Sequence, residues 1–158
     1  MTFTDYLQCF DDILSKKISD APYDTAEYYE YTKLNQARMN RWMKTGNLLP
    51  TCMSKLESIQ QEQKWILITE PWCGDAAHIV PFIQKMCAVN NHLHLDLQLR
   101  DTHSEIDRYL TNGSKSIPIL VVRDQDGNDL FSWGPRPVAC QSLFLKKILV
   151  GFSHKNFN

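Results

Sequence analysis

The chain is expected to be a mixed α/β domain that carries a helical segment at its N-terminal end. Three observations carry that expectation. Residues 1–63 space their apolar side chains at helical intervals. From residue 64 onward, short apolar or alternating stretches of the kind that form strands take turns with helical ones. The stretch Thr69-Glu-Pro-Trp-Cys-Gly-Asp-Ala-Ala-His78 sets a cysteine between the first of those strands and a helix start.

The elements follow in order. Residues 3–18 place Tyr6, Leu7, Phe10, Ile13 and Leu14 on a helical stripe, and Ala21-Pro22 breaks it. A second helix is expected over 25–44, rich in aromatics (Tyr28, Tyr29, Tyr31, Trp42) and stopped at Gly46-Asn47. A short third helix covers 51–61. The mostly apolar stretch 64–69 reads as a strand, and 73–89 as a helix interrupted by Pro81. Residues 92–100, HLHLDLQLR, alternate and predict a half-buried strand. Asp101-Thr102 is expected to begin a helix running to about Leu110, closed by Asn112-Gly113. Residues 117–123 and 130–133 form a hairpin around Asp126-Gly127. A last helix is expected over 137–150, with Pro137 near its first turn. The order β-α-β-α-β-β-α predicts parallel strands at the first crossovers and antiparallel ones at the hairpin.

At 158 residues the chain suits one domain with an added subdomain and can bury a core without disulfide staples. The formal net charge of −1 gives no footing for nucleic acid or an acidic membrane surface. No apolar run reaches membrane-spanning length. The first residues lack a basic region followed by an apolar core, so no signal peptide is expected and a cytoplasmic protein is. Five cysteines, odd in number and scattered, point to reduced thiols. No C-x-x-C occurs, which argues against a four-cysteine zinc site. His92, His94 and Asp96 share a strand face, but a solvated face explains them more simply than a metal. No metal and no cofactor are expected.

Three motifs, TEPWCGDAAHIVPF, LTNGSKSIPIL and FSWGPRP, together with the element order, resemble the thioredoxin-like superfamily, in particular bacterial thioredoxin-family proteins of largely unknown function. The resemblance covers residues 64–150. It implies a thioredoxin-like fold with an N-terminal helical extension: 1–63 as the extension packed on the same domain, 64–152 as the thioredoxin-like domain and 153–158 as a tail. It implies a nucleophilic thiol at Cys73, a cis Ile117–Pro118 bond facing it, and a glycine, Gly134, ending the last strand. There are three departures. Ala76 stands where the resolving cysteine would be, Leu67 where thioredoxins bury an aspartate, and the usual first strand is replaced by helices, which leaves 92–100 either at a sheet edge or covered by them.

Cys73 at a helix start is placed for a lowered pKa through free N–H groups and the helix dipole, whereas the Asp75 carboxylate repels a thiolate. In its simpler role Asp75 only stabilises the first helical turn. Cys87 cannot resolve a mixed disulfide at Cys73. Fourteen residues along one helix separate them by roughly 20 Å, against the roughly 7 Å a disulfide tolerates. Cys9, Cys52 and Cys140 are expected as buried small hydrophobes, with Cys140 the least improbable partner. His78 is not placed as a general base, and Arg100 or His103 is either a source of positive charge near the thiol or part of a strand-end cap.

The candidate site is therefore Cys73 as nucleophile, with Trp72, Gly74, Asp75, Ile117, Pro118, Trp133 and Arg136 around it. Trp133 and Pro135 would wall the thiol loop, and Arg136 would hold a carboxylate or phosphate, unless WGPRP is only a rigid corner. The leading expectation is a monothiol thiol–disulfide oxidoreductase acting on a protein or small-thiol disulfide, with an external thiol for resolution. The alternative is a redox-inactive module that binds a peptide or protein in the same groove. A third idea is a ligand pocket between the N-terminal helices and the sheet, beside Arg136. The oligomeric state is left open.

Overall fold

A four-stranded sheet in the order β2-β1-β3-β4 organises the protein. The structure is a computed structural model and describes residues 1–149. The end of the last expected helix at Val150 and the expected tail 153–158 lie outside the described residues.

α1 (Phe3–Leu14) starts from a capping box. Thr2 Oγ1 accepts from the Asp5 amide at 3.2 Å, and Asp5 accepts from the Thr2 amide at 2.8 Å. It ends four residues earlier than the apolar stripe predicts. Lys16 takes a left-handed conformation (φ 59°), the Lys16 amide donates to Ile13 and the Lys17 amide to Asp12, a Schellman stop. α2 (Ala26–Thr45) stops at Gly46 as expected, and α3 (Pro50–Glu57) opens on its proline.

β1 (Gln63–Thr69) is the central strand, with Ile66, Leu67 and Ile68 fully buried. β2 (Leu93–Leu99) pairs with it in parallel through the crossover helix α4 (Ala76–Cys87). β3 (Ile119–Arg123) and β4 (Asp129–Trp133) complete the sheet. α5 (Val138–Leu149) follows. α4 packs on β1 and β2, and α2 packs on α4 and α1. β2 is both an edge strand and partly covered: the Met1 backbone exchanges hydrogen bonds with Leu97, at 2.8 Å and 2.9 Å.

Two expectations are corrected. No α-helix forms over 101–110, where only a 3₁₀ turn, Ile106–Arg108, is present. His103 has positive φ (49°), and Glu105 is drawn off into a hydrogen-bonded pair with Arg123 of β3, so the side chain and backbone there serve tertiary contacts. Without a crossover helix, β3 runs antiparallel to β1 and not parallel.

The cysteines also depart from expectation. All five are free thiols, but only Cys73 and Cys87 are buried; Cys140 is exposed, and Cys9 and Cys52 are half-buried. Cys140 sits on an exposed face of α5. His92 and His94 are both turned to Glu62, and Asp96 to Lys64 and the N-terminal ammonium. No helix among the described residues is long and apolar enough to cross a membrane.

The core carries acids that folding keeps protonated. Burial raises the Tyr6 and Tyr23 hydroxyls and the Cys73 thiol, and pushes Cys87 up to about 12. An unfolded thiol ionises near about 8.5 and a phenol near about 10, so above those values the unfolded chain binds fewer protons than the folded one and stability falls as pH rises. The melting temperature, followed by circular dichroism, is expected to decline from about pH 8.5 and more steeply beyond about pH 10. A flat profile across that range would contradict the assignment.

Candidate active site

β1 delivers the thiol. After Thr69 the chain turns over Glu70-Pro71-Trp72, closed by the Cys73 amide donating to the Glu70 carbonyl at 3.0 Å, and α4 begins at Ala76. Glu70 is 4% exposed. Its carboxylate accepts from the Asp101 amide at 3.0 Å and from the Tyr23 hydroxyl at 3.4 Å, which ties the thiol turn to the end of β2 and to the segment before α2. Burial raises the Glu70 carboxyl above the usual carboxylate range.

Cys73 is 7% exposed, and its thiol donates to the Ile117 carbonyl at 3.6 Å. The Ile117–Pro118 peptide bond is cis. Burial raises the thiol's pKa first. The backbone N–H of Ala76 opposes that, the Asp75 carboxylate adds to it, and the Asp75 N–H and the Arg136 guanidinium act against it. The helix start therefore does supply amide donors to a thiolate, but desolvation outweighs them.

Asp75 does not cap α4, for its side chain makes no cap hydrogen bond. It pairs with Arg136 at 2.6 Å. This joins the thiol turn to the Trp133–Arg136 corner, and the Arg136 guanidinium also lies over the Phe144 ring, 4.4 Å from its centroid. Arg136 thus does hold a carboxylate, one from its own chain. Asp75→Asn removes the repelling charge and releases Arg136 to act on the thiolate. Alkylation of Cys73 below pH 8 is expected to speed up by up to about tenfold, the equivalent of one pKa unit; an unchanged rate would mean that burial alone controls the thiol.

A cleft of about 460 Å³ opens beside Cys73. One wall is the thiol turn itself: Trp72, Cys73, Gly74 and Asp75. The opposite wall is Ser116, Ile117, Pro135 and Arg136. The roof is α2, which contributes Tyr28, Tyr31 and Arg38. Trp72 stands edge-on to Tyr28 (centroids 5.5 Å apart) and under the Arg100 guanidinium at 4.8 Å. Arg100 plays both roles considered for it, since it pairs with Asp101 and also lines the cleft. His103 does not line it. His78 accepts a hydrogen bond from the Trp42 indole at 2.8 Å, away from the thiol.

Of the expected site residues, Trp72, Gly74, Asp75, Ile117 and Arg136 surround Cys73. Pro118 is buried behind Ile117. Trp133 is not part of the cleft; it faces a separate hollow with Tyr109, Thr111 and Gly134. The corner turns its last residues to the thiol and its first away. The residues alone left open whether the N-terminal helices roof the thiol, and named no roof residue. Tyr28, Tyr31, Asn35 and Arg38 recur at intervals of three and four residues, one face of a helix, and that polar and aromatic stripe was the available signal.

A family model described as thioredoxin matches residues 22–149, so the matched region includes α2 and α3. Among solved structures, a protein of unknown function from Pseudomonas aeruginosa is 16% identical with a TM-score of 0.56, the alignment covering 80% of this chain and 75% of that one. An HIV epitope-scaffold is also 16% identical with a TM-score of 0.56, covering 96% and 89%. The NTD_N/C domain of alkylhydroperoxide reductase AhpF from Enterococcus faecalis is 17% identical with a TM-score of 0.47, covering 71% and 56%. None of the curated proteins matches. The first two likenesses, each with a TM-score of 0.56, speak to the fold.

Proposed function

The chain belongs to the thioredoxin family, and from that premise we propose that it is a monothiol thiol–disulfide oxidoreductase. The Trp-Cys-Gly-Asp-Ala stretch is its reactive segment and a reducing cytoplasm its setting. One observation carries the reading. Cys73 lies at the start of α4, within reach of the Ala76 and Asp75 amides, and on the wall of a cleft. A disulfide entering that cleft meets a sulfur whose charged form has donors waiting. With Ala76 in place of a second thiol, a mixed disulfide at Cys73 is released by an external thiol. The Ile117 backbone, which already accepts from the thiol, is the group that would orient a bound substrate.

The test is trapping. Reduced protein incubated with a disulfide should gain one adduct at Cys73 by peptide mass spectrometry, and lose it on addition of excess thiol. A persistent absence of the adduct at Cys73, under conditions where exposed Cys140 is labelled, would sink the reading.

A second reading has an observation of its own. The thiol is 7% exposed and its pKa is raised, which suits a binding module that uses the groove without turnover. Partner binding unchanged in Cys73→Ser would favour it.

A further inference from the structure

The cleft beside Cys73 is lined by four basic side chains against two acids, Glu27 and Asp75, and one of its cations has no carboxylate partner among the described residues. Four basic side chains line it: Arg38, Arg100, Lys115 and Arg136. Three are engaged by carboxylates: Arg100 by Asp101 at 2.7 Å, Lys115 by Asp107 at 2.9 Å and Arg136 by Asp75 at 2.6 Å. Arg38 has no carboxylate within ion-pair distance among the described residues. Its Nη1 donates to the side-chain oxygen of Asn35 at 3.1 Å.

That contact aims it. Asn35 is fully buried, and its Nδ2 donates to the Pro71 carbonyl at 3.0 Å, so one amide side chain holds both the thiol turn and the guanidinium. Arg38 Nη1 stands 3.7 Å from the point a Cβ on Gly74, the residue after Cys73, would occupy. A guanidinium has five N–H donors in a planar fork, and among the described residues it makes one hydrogen bond. Across from the roof, on the thiol-turn wall, the Trp72 indole N–H is buried with no acceptor among the described residues.

We propose that this cleft selects small acidic disulfides, with Arg38 as the carboxylate anchor that sets the distance from Cys73. The proposal deepens the exchange reading and rests on it for its sulfur chemistry. The volume, about 460 Å³, falls in the range of small-ligand sites, and the α2 roof denies the close approach that a folded protein surface would need. The step balances as follows. The Cys73 thiolate attacks one sulfur of R–S–S–R, that bond breaks, the Cys73–S–S–R bond forms, and RS⁻ leaves and takes a proton from water. An external thiol R′SH, having lost its proton to water, then attacks the R sulfur. Cys73 departs as thiolate and R–S–S–R′ is released. Overall, RSSR and R′SH give RSSR′ and RSH.

The experiment compares adduct formation at Cys73 with glutathione disulfide, which carries carboxylates, and with neutral 2-hydroxyethyl disulfide. Arg38→Gln is expected to slow the first about tenfold and to leave the second within about twofold, the scale of one charge-assisted hydrogen bond. Arg38→Lys, which keeps the charge and guards against a folding defect, should fall between. Equal slowing of both reagents, or wild-type protein that does not favour the acidic one, overturns the proposal. A calorimetric titration of Cys73→Ser with S-methylglutathione, an acidic probe that cannot exchange, separates the two ideas. Saturable binding weakened by Arg38→Gln supports the anchor even where Cys73 forms no adduct and the exchange reading fails. No saturable binding at millimolar probe overturns the anchor even where Cys73 reacts with the neutral disulfide.

Discussion

Gly134→Ala is expected to destabilise the protein by about 2–6 kcal/mol, the sum of backbone strain and overpacking, each worth about 1–3 kcal/mol. Gly134 has φ +138°, a region that residues with a Cβ rarely adopt. A Cβ there would also run into the Pro118 carbonyl oxygen, and lie 2.9 Å from Ile119 Cδ1 and 3.1 Å from Ile119 Cα. Two of those three obstacles are backbone, so no side-chain rotation relieves them. Backing β4 away would break its register with β3, where Leu120 faces Trp133. The same movement would drag Pro118 and Ile117, and with them the carbonyl that accepts from Cys73. Gly127 is the control. It too has positive φ (84°), but a Cβ on it meets nothing within 4 Å, so Gly127→Ala should cost only about 1–2 kcal/mol. Urea denaturation of both variants decides the matter: equal losses would show that the close approach to β3 is unimportant.

Cys73→Ser is expected to abolish reversible adduct formation at the site while leaving the melting temperature nearly unchanged. A hydroxyl keeps the donor to the Ile117 carbonyl but is not a nucleophile near neutral pH. The companion measurement is the rate of Cys73 alkylation against pH, read at the peptide level because exposed Cys140 reacts as well. Burial raises the thiol and outweighs the amide donors. Its rate should therefore be a few per cent or less of its maximum near pH 7, and should climb beyond about pH 8.5, the ordinary thiol value. A midpoint clearly below about pH 7 would mean that the helix start wins over desolvation after all. Such a midpoint would place the free protein in the charged state.

Much of the frame was legible in the residue order. The strand 64–69, the crossover helix with its internal proline and the alternating strand 92–100 appear close to where the pattern sets them: the first is a continuous apolar run buried on both faces, and the other two bury one face in a regular period. The hairpin around Asp126-Gly127 forms as its turn residues dictate, with Asp124 accepting from the Asp126 and Asn128 amides. The segment 101–110 was not legible. Its composition suits a helix, and a single ion pair from Glu105 to Arg123, eighteen residues away, competes with that local preference. The direction of β3 was not legible either: it pairs antiparallel with β1, a long-range register that no local pattern in 101–118 specifies.

The site divides along the same line. The order of residues by itself determined the thiol, its helix start, the loop that faces it and the lack of a second thiol, because these are neighbours in the chain or marked by proline and glycine, whose backbone limits are local. Only the tertiary structure decided that α2 roofs Cys73, that Asp75 spends its charge on Arg136, that Trp133 faces elsewhere and that Arg38 stands uncommitted over Gly74. Each of these joins residues dozens of positions apart. Charge and burial depend on distance in space, which the chain acquires only once its helices have packed.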